Sequence, residues 1–221
     1  MAPMDVAARQ RIAESYGHWF QRRYVMGKLA ADPAYAATAE LVAGRPLPLL
    51  DIGCGIGLLG QYLYARGLIT HYLGLDHDPR KIEAGLRALR QAGLERKLQL
   101  RQADGAAPQP CRGHVAVLDV LHYLPKEGQR ALLANAIAHL APDGMLIVRN
   151  VLREPSWRYY VTRASEFVLR TSGWMSVGAQ HYPSGDELRA TLEAAGLQVS
   201  IRSLHGNMPF DSYLLVAQRP R

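Results

Sequence analysis

Leu49-Leu50-Asp51-Ile52-Gly53-Cys54-Gly55-Ile56-Gly57-Leu58-Leu59-Gly60 is the stretch on which the fold turns. A short apolar strand runs into alternating glycines, and an apolar helix opens behind them. Glycine lets the backbone turn tightly and lets a ligand approach it closely. The helix start adds free N–H groups and a partial positive charge. The stretch reads in two frames. Gly55-x-Gly57-x-x-Gly60 has the spacing of a dinucleotide fingerprint, with Asp76 standing 21 residues after Gly55 as a ribose-binding acid. In the other frame the turn begins at Gly53, and Asp51 stands at the carboxyl end of the strand, in the crevice where open α/β sheets bind ligands. Starting the turn at Gly55 puts Asp51 inside a buried parallel strand, where an unpaired charge is costly. The Gly53 frame is therefore preferred.

Outward from this loop, apolar strands alternate with helical patterns. Strands are expected at Leu47–Ile52, His71–Leu75, Leu98–Gln102, His114–Leu118 and Met145–Val148, and helices at Leu58–Arg66, Pro79–Gln91 and Lys126–Leu140. That rhythm argues for a parallel sheet covered on both faces, with right-handed crossovers. Upstream, Val6 to Met26 reads as one amphipathic helix, and Asp32-Pro33 starts a second. Downstream, Arg153–Thr171 reads as a longer helix rich in aromatics and Arg. Ser184 with Glu187 forms a capping box, and Leu197–Leu204 and Ser212–Ala217 form two antiparallel strands. The expected fold is α/β, a Rossmann-like, doubly wound, mostly parallel seven-stranded sheet with one antiparallel strand at its end. N-terminal helices and a helical insert after the fifth strand complete it.

At 221 residues, 48% apolar and 20% charged, the chain suits one domain with a core that needs no covalent staple. With only two cysteines, Cys54 and Cys111, a disulfide scaffold is excluded. The net charge is +7, and the basic residues are nearly all Arg, scattered without a like-charge run. A nucleic-acid partner is not expected, although a basic face also suits RNA, an anionic carrier or a membrane surface. No secretory or membrane-spanning stretch is visible, which points to the cytoplasm. The eight histidines form no ligand-like set with one another or with carboxylates, so no metal is expected.

In the Gly53 frame the chain resembles the class I S-adenosylmethionine-dependent methyltransferases from about Leu47 to its C-terminus. Leu49 to Gly57 looks like that family's first motif, and Tyr72-Leu73-Gly74-Leu75-Asp76 its second. Gln102-Ala103-Asp104-Gly105 looks like the third and Val117 to Leu124 the fourth, while Leu140 to Leu146 precedes strand five as in that family. The resemblance implies one methyltransferase domain: a helical cap at 1–45, a cofactor-binding core at 46–150, a helical lid at 151–185 and a closing helix and strand pair at 186–221. It also implies S-adenosyl-L-methionine as cofactor. Gly53, Cys54, Gly55 and Gly57 would line its methionine moiety, and Asp51 would lie near the amino end. Asp76 would accept the ribose hydroxyls, with His77 beside the adenine. Asp104 would accept from the adenine amino group, with Gly105 adjacent, and Asp119 and Val120 would border the sulfonium. Simpler readings stand beside these: Asp76 as a helix cap (with Asp78 better placed), Asp104 as a turn residue, Cys54 as packing.

Methyl transfer from a sulfonium mostly needs alignment and exclusion of water, and a base only where the acceptor must lose a proton. His122, just past the fourth strand, is the first candidate base, with Tyr123 as its neighbour; the alternative is that His122 merely packs or caps. Acceptor contacts are expected from Tyr16, Trp19, Arg23, Tyr24 and Lys28, from Trp157, Tyr160, Arg163, Phe167 and Trp174 of the insert, and from His181. Arg23 or Lys28 would alternatively hold the methionine carboxylate, and the insert aromatics would alternatively pack on the sheet. Asp119-Val120-Leu121-His122 replaces the Asn/Asp-Pro-Pro-Tyr that holds a flipped adenine, which argues against base methylation.

Three further segments, Leu121 to Pro125, Trp157 to Arg163 and Gly206 to Val216, look like those of methyltransferases from bacterial aryl-polyene and xanthomonadin pigment clusters. That resemblance implies an aromatic or polyene acid as acceptor, free or on acyl carrier protein. Other readings are an RNA methyltransferase, a nicotinamide-dependent oxidoreductase using Gly55, Gly57 and Gly60, and a cofactor binder of this fold with a different reaction. The oligomeric state is left open.

Overall fold

A computed structural model describes residues 4–154, 157, 178–204 and 211–220. Three helices come first: α1 (Val6–Glu14), α2 (Trp19–Ala31) and α3 (Pro33–Val42). There follow β1 (Leu49–Ile52), α4 (Leu58–Tyr64), β2 (Tyr72–Asp76), α5 (Pro79–Gln91), β3 (Leu98–Gln102) and β4 (His114–Leu118). After a 3-10 turn at Leu121–Tyr123 come α6 (Lys126–Ala138), β5 (Met145–Asn150), α7 (Gly185–Ala194), β6 (Gln198–Ser203) and β7 (Tyr213–Gln218).

The sheet order is β3-β2-β1-β4-β5-β7-β6. The first five strands pair in parallel, and β7 runs antiparallel to both β5 and β6. The single reversed strand, β7, lies between β5 and β6 and makes the expected antiparallel end of the sheet. Chain order reverses direction between β1 and β4. That switch opens a crevice at the carboxyl ends of those two strands, the place where such sheets bind ligands. Alternate residues of each strand feed two cores. Leu49, Tyr72, Leu98 and Ile147 pack beneath α1 to α5, while Leu50, Leu73, Val115 and Leu146 pack against α6 and α7.

Local chemistry explains most boundaries. Asp78 caps α5 by accepting from the Arg80 amide, with Pro79 at the first helical position. Ser184 and Glu187 form the reciprocal capping box of α7. Gly67, Gly93 and Gly196 take positive φ just after their helices. The helix expected over Val6–Met26 is two helices. Ser15 closes α1, its Oγ donating to the Ile12 carbonyl, and His18 restarts the chain by capping α2. The apolar spacing runs through this break because both helices face one core, so periodicity alone does not reveal it.

Among the described residues no helix is long and apolar enough to cross a membrane.

Candidate active site

The glycine loop begins where β1 ends. Gly53, Gly55 and Gly57 have φ of +80°, +58° and +73°, a region that side chains rarely enter. The amides of Gly53 and Cys54 both donate to the Leu75 carbonyl, so the loop folds across the end of β2. A side chain at Gly53 would overlap Val120, and one at Gly57 would meet Leu100; at Gly55 it would meet nothing within 4 Å. Two of these glycines are therefore required by packing, and the third faces open space that a ligand can fill.

Asp76 ends β2 beside that space. Its Oδ2 accepts from the Gly55 amide at 2.8 Å and its Oδ1 from the Asp78 amide at 2.9 Å. A carboxylate offers about four lone-pair positions, so two remain, the number that a vicinal diol needs. Because Asp78 is the helix cap, Asp76 is left to the loop. The ring nitrogen Nδ1 of exposed His77 lies 3.5 Å from Asp76 Oδ1. The carboxylate therefore has acceptor capacity left for a diol, beside the open space in front of Gly55.

Asp51 departs from its expected position. The turn does start at Gly53, but Asp51 is the third residue of β1, buried and inside the strand rather than open at its end. It is tolerated there because the Tyr72 hydroxyl donates to its Oδ2 at 2.6 Å. Gly74, opposite Asp51 in the register, has no side chain and leaves room for Cys54, whose thiol burial pushes well above its usual range. Burial raises the Asp51 carboxyl to about 7, against the opposing effect of the Tyr72 hydrogen bond. This gives a first prediction. Between the unperturbed 3.8 and about 7 the native state holds the proton that the unfolded chain has lost. Stability should therefore fall as pH rises through that window, by at most about 1.4 kcal/mol per pH unit, and level off above it. Urea unfolding of the native chain and of Asp51→Asn tests this: the substitution should flatten the slope, and identical slopes would contradict it.

Asp104 lies exposed beyond β3, with Oδ1 accepting from the Ala106 amide, so it does form the turn anticipated for it. Gly105 packs against Ile52 and accepts from Asn135. Parallel pairing brings these residues, the glycine loop and Asp76 to one edge of the sheet.

The fourth-strand turn is held from beneath. Asp119 has a φ of +60° and ion-pairs with Arg149 of β5. His122 lies in the 3-10 turn but is buried, not open to the crevice as expected. Its Nδ1 sits 2.8 Å from Asn150 Oδ1, and its ring stacks on Tyr182 at 5.8 Å and 2°. The Asn150 amide nitrogen donates to the Val151 carbonyl, so its oxygen faces His122 and Nδ1 carries the proton. Tyr123 lies against the same ring, 4.0 Å between centroids. The backbone carbonyl of His122 accepts from the amides of Gln180 and His181. Burial explains the placement: the ring that sequence position puts at the crevice is turned under the segment 180–182.

On the N-terminal side, Tyr16 is 1% exposed, which corrects its expected place on an acceptor surface. Its hydroxyl donates to the Ile56 carbonyl in the glycine loop and accepts from Gln61. It thus fastens the helical cap to the loop. Trp19 is 65% exposed and Tyr24 45%; exposed Arg23 shares the Trp19 face of α2, one turn further on. Lys28 pairs with Asp32 at 2.7 Å. His181 is partly buried, 3.8 Å from Glu187. Trp157 is helical and exposed. Tyr160, Arg163, Phe167 and Trp174 lie outside the described residues. Sequence reading passed over Tyr72, Asn150, Arg149 and Asp32 as site residues. The signal for Arg149 was a charge inside an otherwise apolar strand.

A family model described as a methyltransferase domain matches residues 50–146. Among curated proteins, a trans-aconitate 2-methyltransferase of Methylobacterium nodulans is 33% identical over 181 residues, covering 77% of this chain and 67% of that protein. A ubiquinone biosynthesis O-methyltransferase of Psychrobacter arcticus is 25% identical over 158 residues, 69% of this chain and 58% of that one. The chain therefore spans less than two thirds of the latter's length. Among solved structures, the magnesium protoporphyrin IX methyltransferase of Synechocystis with bound SAH superposes with a TM-score of 0.66 at 16% identity, covering 95% of this chain and 93% of that one. That likeness is one of fold.

Proposed function

This chain belongs to the class I S-adenosylmethionine-dependent methyltransferases, and we propose from that premise that it methylates an oxygen of a small aromatic or polyene acid. The cofactor supplies an electrophilic methyl group on a sulfonium. In this reading the two remaining acceptor positions of Asp76 take the ribose hydroxyls, and Gly55 leaves room for the methionine chain. Asp51 lies near the amino end, Asp104 meets the adenine, and Asp119 and Val120 flank the sulfonium.

The observation that carries the acceptor is the face of α2. Trp19 exposes a broad aromatic surface, and Arg23, one helical turn on, adds a guanidinium on the same face. Aromatic rings and a fixed cation suit a planar anionic molecule. Two relatives bear on the acceptor through their names, one acting on an organic acid and one on oxygen. The net charge of +7 suits an acceptor carried on an acidic acyl carrier protein. A carboxylate acceptor needs no base. A phenol does, and with His122 buried beneath the segment 180–182 that base would have to come from another group or from solvent.

Trp19→Ala tests the acceptor assignment. It should raise the acceptor KM by about tenfold, the worth of one aromatic contact, and leave S-adenosylhomocysteine affinity unchanged. An unchanged KM would remove α2 from the acceptor site.

A further inference from the structure

Asp119 is the one residue other than glycine with a positive φ among the described residues. That conformation disfavours any side chain, and a β-branched residue, Val120, follows it directly. Two contacts hold Asp119 there, both from Arg149: the Asp119 amide donates to the Arg149 carbonyl at 2.8 Å, and the guanidinium pairs with the Asp119 carboxylate. The same guanidinium lies 3.6 Å from Asp32, and its Nε donates to Ser212 Oγ at 2.8 Å. Asp32 in turn ends α2, caps α3 and pairs with Lys28. One partly buried guanidinium therefore ties the β4 turn to the helical cap and to the start of β7.

The turn it holds is also packed on the glycine loop. Val120 Cγ2 occupies the space where a Gly53 side chain would stand. Displacing Asp119 from its left-handed conformation moves Val120 relative to Gly53, and with it the wall at the methionine end of the pocket. We infer that Arg149 is a positioning residue for the cofactor: it acts through the backbone conformation of Asp119, without touching the ligand. This rests on the placement of the cofactor along Gly53–Gly57 and Asp76. It extends that placement to a residue on the neighbouring strand.

The test is calorimetric titration of S-adenosylhomocysteine, which carries no sulfonium charge, together with the thermal midpoint of each variant. Arg149→Met should weaken binding about tenfold, because Asp119 then keeps only its amide bond to the carbonyl of residue 149 and loses the ion pair that holds its side chain. Adding Asp119→Gly should recover most of that loss, because glycine adopts a positive φ without a clamp. Unchanged affinity in Arg149→Met overturns the inference. So does a double variant no tighter than the single one, since that pattern means the charge itself is needed. If Arg149→Met does not fold, Arg149→Lys with and without Asp119→Gly carries the same comparison. Asp76→Ala is run in parallel: if it binds as tightly as the native chain, the cofactor placement fails, whatever Arg149 does.

Discussion

Replacing Asp76 with alanine is expected to weaken S-adenosylhomocysteine binding by at least about a hundredfold, because hydrogen bonds to a charged group contribute roughly 1.5–3 kcal/mol each and two to the ligand are lost. The loss has a second source. The Gly55 and Asp78 amides that now donate to the Asp76 carboxylate lose their acceptor. The loop then keeps its bonds to the Leu75 carbonyl and Tyr16 but loses the one at Gly55, so the variant binds a less organised site as well as a less complementary one. Asp76→Asn separates the two contributions. It keeps an acceptor for one amide but puts an N–H₂ donor where the other amide points, and should fall between the native chain and the alanine variant. Calorimetry reads both. Binding within about threefold of native in Asp76→Ala would mean that the ligand does not sit on this carboxylate.

The second large effect is expected at Gly53. An added Cβ would stand 2.2 Å from Val120 Cγ2, and the backbone there has a φ of +80°. Left-handed geometry alone costs a side chain about 1–2 kcal/mol, and the overlap adds to it by driving the β4 turn away from the loop. Gly53→Ala should therefore lower stability by about 2–4 kcal/mol and lower the thermal midpoint by roughly 5–15 °C. Cofactor affinity should fall with it. Trimming the opposing side chain, in Gly53→Ala with Val120→Ala, relieves the overlap and leaves the conformational cost. The double variant should recover part of the midpoint. No recovery would show that the two residues are not packed as described.

These effects bear on what a sequence shows and what it hides. The strands and the helix Pro79–Gln91 are legible because each is an apolar run or period bounded by its own stop signals, and the capping box at Ser184 is equally local. The alternating glycines mark the turn but leave two frames, and the cost of burying Asp51 chose the one that starts at Gly53. Contacts made across the sheet were not legible. Asp51 is stable inside β1 only because β2, its neighbour in the sheet, brings the Tyr72 hydroxyl to it. The argument that an acid could not lie there assumed that it would be unpaired. Arg149 meets Asp119 and Asp32 because β5 lies next to β4 and below the junction of α2 and α3, an arrangement that no local pattern records. His122 was placed at the right turn but not in its buried orientation, which depends on Asn150 and on the returning segment around Tyr182. The break at Ser15–His18 was hidden for the opposite reason: both helices share one apolar face, so the period runs on across the turn.

The most direct measurement is transfer of an isotope-labelled methyl group from S-adenosylmethionine, by the purified chain, to a panel of hydroxy- and carboxy-substituted aryl acids and polyene acids, free and carrier-bound, with transfer RNA and NAD-dependent oxidation run alongside. The account predicts label on an oxygen of an aryl or polyene acid, lost in Asp76→Ala and reduced in Trp19→Ala. Label on RNA, or no label on any acid from a chain that binds S-adenosylhomocysteine tightly, would contradict it.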